Sequence, residues 1–246
     1  MCQGPGRKRN RARNRTPMQS PAADCNRPGN SAGSQGTARG GQVIELNEVA
    51  YSYGGGELFS QLSLTLAPGS FQFLTGPSGS GKTTFLRLCS AELTATSGVV
   101  RLFGEDVRGM SRDIVARTRR RIGVVHQDSQ FLDHLPLVEN VALPRIVSGT
   151  GGPEDADVGE LLAWVGLGRQ AGQRPPELSG GERQRAALAR AIILSPEVIL
   201  ADEPTGNVDW EMSQRLLGLL IELNRMGKTV LVATHDMQLI RAAKAQ

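Results

Sequence analysis

The stretch FQFLTGPSGSGKTTFLRLCSAE, Phe71 to Glu92, decides the fold. It opens on a short apolar run with strand character, passes through a glycine-rich loop and ends in a helix-forming segment. Gly76 to Thr83 fits the pattern G-x-x-x-x-G-K-[ST] in the strand–loop–helix setting that the pattern requires. Glycines allow a tight loop whose backbone N–H groups point inward at phosphate oxygens. Gly76, Pro77, Ser78, Gly79, Ser80 and Gly81 would form that cradle, with Thr84 just inside the helix. Lys82 would reach the β and γ phosphates of a nucleotide, and Thr83 would ligate Mg²⁺. The bland alternative is a glycine-rich turn that binds nothing.

Outward from this stretch, strands and helices alternate. VIELNEVAYSY (43–53) and QLSLTL (61–66) read as strands before it. After it come GVVRLFG (98–104), a charged helical run RDIVARTRRR (112–121) and a buried strand with a polar exit, IGVVHQD (122–128). Residues 129–176 read as mostly helical with Pro and Gly breaks, and TGGPEDAD (150–157) as a loop. VILADE (198–203) is a strand, LLGLLIELNRMG (216–227) a helix with a glycine stop, and TVLVATHD (229–236) a last strand. The alternation predicts an α/β fold with a mainly parallel core sheet.

Two further stretches carry chemistry. In LSGGERQ (178–184), a serine and two glycines stand directly ahead of an Ala-rich helical run. Serine and glycine suit a helix start, so Ser179 reads as a cap with an anion site at the exposed N–H groups behind it. VILADE ends an apolar strand on two acids that point differently. Asp202 would hold magnesium and Glu203 would act as general base toward an attacking water.

Composition bounds the rest. Of 246 residues, 39% are hydrophobic and 21% charged, which suits a globular bulk. No window approaches the roughly 18 apolar residues of a membrane span. The net charge of +4 misleads, because residues 1–42 hold eight Lys or Arg and one acid, leaving the remainder net acidic. This Gly-, Pro-, Ser- and Arg-rich segment is expected to be a disordered basic tail ahead of a folded domain at 43–246. The high pI therefore gives no reason to expect nucleic-acid binding. Cys2, Cys25 and Cys89 show no metal spacing and read as free thiols in a reducing compartment.

The P-loop, Gln127, LSGGE, VILADEPT and His235 follow one another in an order that resembles the ATP-binding subunit of ABC transporters, over about residues 43–241. The resemblance implies a P-loop NTPase of the ABC ATPase type. Its parallel core would be joined by an antiparallel β subdomain and by a helical subdomain at about 128–190. It implies ATP and Mg²⁺, and a homodimer in which Ser179, Gly180 and Gly181 face the γ-phosphate held by the other copy. Tyr53 matches the aromatic that stacks on adenine, with Tyr51 its nearest rival. Gln127 matches the glutamine that reaches magnesium and reports to the membrane partner, and Asp209 the aspartate that touches the opposite subunit. His235 would contact the γ-phosphate. His126 stands where an aromatic is common and reads as a local substitution, and His134 as structural.

ADEPTGNVD belongs to a narrower set of cell-division, lipoprotein-release and macrolide-export ATPases. SFQFLTGPSGSGKTTFLRL, RLFGEDV and THDMQLI look most like the cell-division branch, FtsE. That implies an FtsX-like integral membrane subunit docked on residues 128–150, septal cell-wall hydrolysis as the coupled process, and a peripheral place on the cytoplasmic face of the bacterial inner membrane. A soluble ABC protein acting on DNA or ribosomes would carry a coiled-coil insertion or a second cassette, and neither is present. An ATP-binding scaffold with little turnover is opposed by the intact Lys82, Asp202, Glu203 and His235. The chain stops at Gln246, short of the strand pair with which such subunits usually end, so a trimmed edge is expected there.

Overall fold

The computed structural model describes residues 41–54, 56–128, 130–206 and 208–244. Apart from Gly41 and Gln42, the expected basic tail lies outside the described residues, as do Cys2 and Cys25. No helix among the described residues is long and apolar enough to cross a membrane.

Two strands buried at every position organise the molecule: β7 (Val198–Asp202) and β8 (Thr229–Thr234). Burial on both faces is the mark of central parallel strands. They lie inside a parallel sheet of order β3-β8-β7-β6, with β3 at Phe71–Thr75 and β6 at Ile122–Val125. Alternate residues feed opposite cores, as the strand period demands. Val198, Leu200, Leu231 and Ala233 meet α1 (Lys82–Cys89) through Phe85, Leu88 and Cys89. Ile199, Ala201, Val230 and Val232 meet α5 (Gly180–Ile192) and α6 (Trp210–Arg225).

The core on the α1 side is closed by a second, antiparallel sheet of order β2-β1-β4-β5. Its strands are β1 (Ile44–Tyr53), β2 (Gly56–Leu66), β4 (Ser97–Leu102) and β5 (Glu105–Asp106). Between β5 and β6 runs α2 (Arg112–Arg120). A third core joins α5 to α3 (Leu137–Ser148) and α4 (Ala156–Trp164) through Leu137, Val141, Leu162, Leu178 and Ala186. The chain closes on α7 (Met237–Lys244), packed against α6.

All seven expected strands form. The stretch expected to be mostly helical holds α3 and α4, but the chain from Val165 to Ser179 is loop and short 3₁₀ turns. The helix expected from Leu216 starts at Trp210, because Asp209 caps it: its Oδ1 accepts from the Met212 N–H at 2.8 Å. The last helix, α7, was signalled only by Asp236, which accepts from the Gln238 and Leu239 N–H groups at 2.8 and 3.1 Å.

Gly123 sets how closely α5 lies on the sheet. A Cβ there would collide with the Ala191 carbonyl oxygen and stand 3.0 Å from Pro196. Backbone cannot yield as a side-chain tip can, so Gly123→Ala is expected to cost about 3 kcal/mol, as overpacking does. Urea unfolding checks this through the midpoint, with the slope unchanged.

Candidate functional site

The loop between β3 and α1 is built by its glycines. Gly81 takes φ +96° as the first cap of α1, and a Cβ there would stand 3.0 Å from Leu58. A Cβ on Gly76 would stand 2.7 Å from the Ser80 Oγ. No side chain caps α1 and its first turn holds no acid, so its N–H groups face the loop as an anion site. Ser80 Oγ is buried in the loop without a hydrogen-bond partner.

Lys82 is buried, and its ammonium is bound on three sides. Nζ lies 2.8 Å from the Gly76 carbonyl, 3.3 Å from that of Pro77 and 3.2 Å from Glu203 Oε1. Glu203 comes from the turn after β7 and adopts φ +44°, a left-handed conformation rare for a residue with a side chain. That turn carries its carboxylate to Lys82 and also to His235 at the end of β8, whose Nδ1 lies 2.8 Å from Oε1. Burial pushes the Glu203 carboxyl up, but the hydrogen bonds and charges of His235 and Lys82 outweigh it and hold it below the usual carboxylate range.

Asp202 shows the opposite balance. It is 4% exposed, and burial raises its pKa. The Thr83 hydroxyl favours the ionised form, the charge of Glu203 opposes it, and the charges of Lys82 and His126 partly compensate. Its Oδ1 is buried with no hydrogen-bond partner. An orphaned carboxylate oxygen beside a hydroxyl fits a hard divalent cation. Among the described residues, no group of three or more His, Cys, Asp and Glu could hold a metal unaided. That donor-poor set suits Mg²⁺ held by one carboxylate, one hydroxyl and substrate phosphates.

Tyr53, at the end of β1, is 51% exposed, and its hydroxyl lies 3.3 Å from Thr84 Oγ1. Tyr51 packs edge-on against it at 4.9 Å and faces the core instead. Gln127 follows β6, and its amide nitrogen lies 4.0 Å from where a Gly206 Cβ would stand, beside the Glu203 turn. These positions bring Tyr53, Thr84, Lys82, Thr83, Asp202, Glu203 and His235 around one loop.

Ser179, Gly180 and Gly181 lie on another element, at the N-terminus of α5. Ser179 forms a full capping box with Glu182, which accepts from the Ser179 N–H at 2.8 Å and from its hydroxyl at 2.7 Å. Those bonds hold the Glu182 carboxyl below its usual range. A Cβ on Gly181 would stand 2.7 Å from Met212 Cγ, so a side chain there would displace Met212. Asp209 is engaged as the cap of α6. His134 is an exposed turn residue.

The folded chain also reveals residues that sequence reasoning passed over. Gln184 is buried on α5 and donates to the Gln127 carbonyl at 3.1 Å, tying the two motifs together. Its place inside LSGGERQ, on the buried face of an amphipathic helix, was a usable signal. Arg190 reaches the Gln130 carbonyl at 2.6 Å and lies over Phe131, while buried Asn140 accepts from the Leu132 N–H and donates to the carbonyls of Leu132, Leu135 and Pro136. The loop after Gln127 is thus pinned from two helices. It borders a groove of about 510 Å³ that also takes in Gly180, Arg183 and Gln184.

A family model described as "ABC transporter" matches residues 59–206. The chain belongs to the ABC transporter family. It is an ABC-type ATPase and hydrolyses ATP. Among ABC proteins it is 42% identical over 203 residues to the cell division ATP-binding protein FtsE of Haemophilus influenzae, covering 81% of this chain and 93% of that one. FtsE of Bacillus subtilis is 37% identical over 204 residues, covering 82% and 90%. The macrolide export protein MacB of Marinobacter nauticus is 38% identical over 210 residues, which span 83% of this chain but 33% of MacB. The ABC cassette MJ0796, solved as a post-hydrolysis dimer with ADP and Pi, superposes with a TM-score of 0.73 at 34% identity, covering 81% of this chain and 90% of that chain.

The buried charge of Asp202 has a measurable cost. Its folded pKa lies above the unfolded carboxylate value, so the cost is absent in acid, grows as pH rises from the unfolded to the folded pKa and is fully present above it. Without divalent cation, Asp202→Asn is expected to stabilise the fold at neutral pH by about 1–2 kcal/mol, the scale of an unsatisfied buried group. The gain should vanish at acid pH, and thermal unfolding across pH, with EDTA, checks both.

Proposed function

We propose that two copies of this chain enclose two ATP molecules and couple their hydrolysis to an FtsX-like integral membrane subunit in cell division. The observation that carries this reading is the Glu203 carboxylate held between Lys82 and His235 beside the orphaned oxygen of Asp202. The triphosphate lies in the Gly76–Gly81 cradle with Tyr53 against the base. Thr83 and Asp202, with Gln127, hold Mg²⁺, which when bound neutralises phosphate charge. Lys82 moves from Glu203 to the β and γ phosphates. Its departure lets the Glu203 carboxylate regain basicity while His235 keeps it oriented, so Glu203 can take a proton from the attacking water.

Ser179, Gly180 and Gly181 sit on a separate element, and that supports a composite site in which they serve the γ-phosphate of the other copy, with Asp209 alongside. The dimeric form of the MJ0796 neighbours supports it too. Loss of the γ-phosphate loosens the pair, and the membrane subunit takes up the motion. The pinned loop after Gln127, with Leu132, Ile146 and Val147 exposed on it and on α3, offers the docking face within residues 128–150 of the helical subdomain. In this reading the ATPase sits peripherally on the cytoplasmic face of the inner membrane. Similarity to FtsE over most of both chains favours division over the alternatives. MacB, matched over its cassette third, keeps macrolide export or lipoprotein release as the second reading.

Glu203→Gln is expected to keep ATP binding and to lower turnover by about 10²–10⁴-fold, the usual worth of a general base. Equal hydrolysis by both proteins would remove Glu203 from that role. The same variant, purified from native membranes with ATP, should bring a small permease and cell-wall hydrolase regulators, read by mass spectrometry. Lipoprotein-release or export permeases would move the assignment to the second reading, and soluble partners alone would overturn membrane coupling.

A further inference from the structure

Two large apolar side chains stand in water at one end of the sheet that carries the site. Trp210 is the first residue of α6 and is 43% exposed, and Met237 is the first residue of α7 and is 55% exposed. The two helices leave the C-terminal ends of neighbouring parallel strands, β7 and β8, and pack on each other. Topology therefore puts both side chains at the end of the sheet that presents Glu203 and His235. Trp210 also directly follows Asp209, the cap of α6.

Local structure gives no reason for a tryptophan there. The first helical position favours proline and small or acidic residues. Among the described residues, no ring stacks on Trp210, no cation lies over it and its indole N–H meets no acceptor. Its surroundings are nonetheless fixed. Two residues on, Met212 packs where a Gly181 side chain would be and lies 2.6 Å from Arg185 Nη1. The helix end that bears Trp210 is thereby locked to the Ser179–Gly181 segment.

We infer that Trp210 is an apolar anchor that a second copy of this chain covers when two ATP-loaded subunits close. This rests on the composite-site reading above. If Ser179–Gly181 of one copy must reach the phosphates of the other, the end of α6 locked to that segment must travel with it to the partner. A two-fold pair makes the contact twice, so one exposed side chain yields two buried ones. A rigid, amphipathic indole is the side chain that most often carries interface energy, and an exposed methionine at the same end of the sheet can adapt to an opposing surface. The apolar residues on the helical side, Leu132, Ile146 and Val147, belong to other elements and are left for the membrane subunit.

The chain holds two tryptophans, so replacing Trp164 on α4 by Phe leaves Trp210 as the sole indole reporter. In the full chain carrying Trp164→Phe and Glu203→Gln, Mg-ATP is expected to give a dimer on size exclusion. The Trp210 emission should then shift to shorter wavelength, and its quenching by acrylamide should fall several-fold. ADP should do neither. In the same full chain with Trp164 intact, adding Trp210→Ala should weaken the dimer on the order of tenfold or more while monomer nucleotide binding is kept, and Trp210→Phe should restore most of it. A dimer that forms with Trp210 still fully quenchable, or equally well with Ala at 210, overturns the anchor and leaves the composite site standing. No ATP-dependent dimer in the chain that keeps Trp210 overturns the composite site and the anchor together.

Discussion

The site depends on a single reversal of chain direction at Glu203. Along β7, Ile199 and Ala201 point to the α5 and α6 side, and an extended Glu203 would follow them. Its left-handed φ of +44° swings the carboxylate to the other side, onto Lys82 and His235. Such a conformation costs about 1 kcal/mol or more. The Glu203 N–H still bonds the Ala233 carbonyl at 2.8 Å, so the sheet holds the backbone while the side chain departs from it. Asp202, one residue earlier, needs no such turn, because the strand period already aims it at α1 with Val198 and Leu200. Two adjacent acids thus receive different surroundings and opposite pKa directions from one backbone irregularity.

The segment proposed to serve the other copy's nucleotide is mounted on α5, which serves two cores at once. Ala187, Leu188 and Ile192 face the sheet, while Ala186, Ala189 and Ile193 face α3 and α4. Gln184 adds a hydrogen bond to the strand exit at Gln127, and Arg190 fixes the next loop. A push on that loop therefore reaches the Ser179 end through one rigid helix rather than through a chain of soft contacts. The capping box holds this end in place on its own, which would pre-organise the proposed anion site.

Much of this was legible in the sequence. Glycine spacing fixed the P-loop, because loop conformation there is a property of residues without Cβ. Uniformly apolar runs marked β7 and β8, and Ser179 announced a helix start. What stayed hidden is tertiary. Nothing in VILADE says that Glu203 takes a left-handed turn, and nothing in ERQR says that Gln184 donates to Gln127. Asp209 and Asp236 were visible as residues, yet their use as caps moved one helix start and created another, since a cap is recognised only once its helix is known. The separation of Ser179–Gly181 from the P-loop followed from the family resemblance, and the structure supplies the physical mounting for it.

The order β3-β8-β7-β6 also governs how the molecule is made. Among the described residues, the strand that leads into the P-loop pairs within its sheet with β8 alone, and Phe71 finds its partner at Val230. On a ribosome the phosphate loop therefore emerges long before the strand that must hold it. The antiparallel sheet, with its shorter-range pairings, can form first, while β3 remains an open edge. The sheet beneath the phosphate loop thus stays incomplete until β8 has been made, and β3 is an edge open to aggregation throughout the interval.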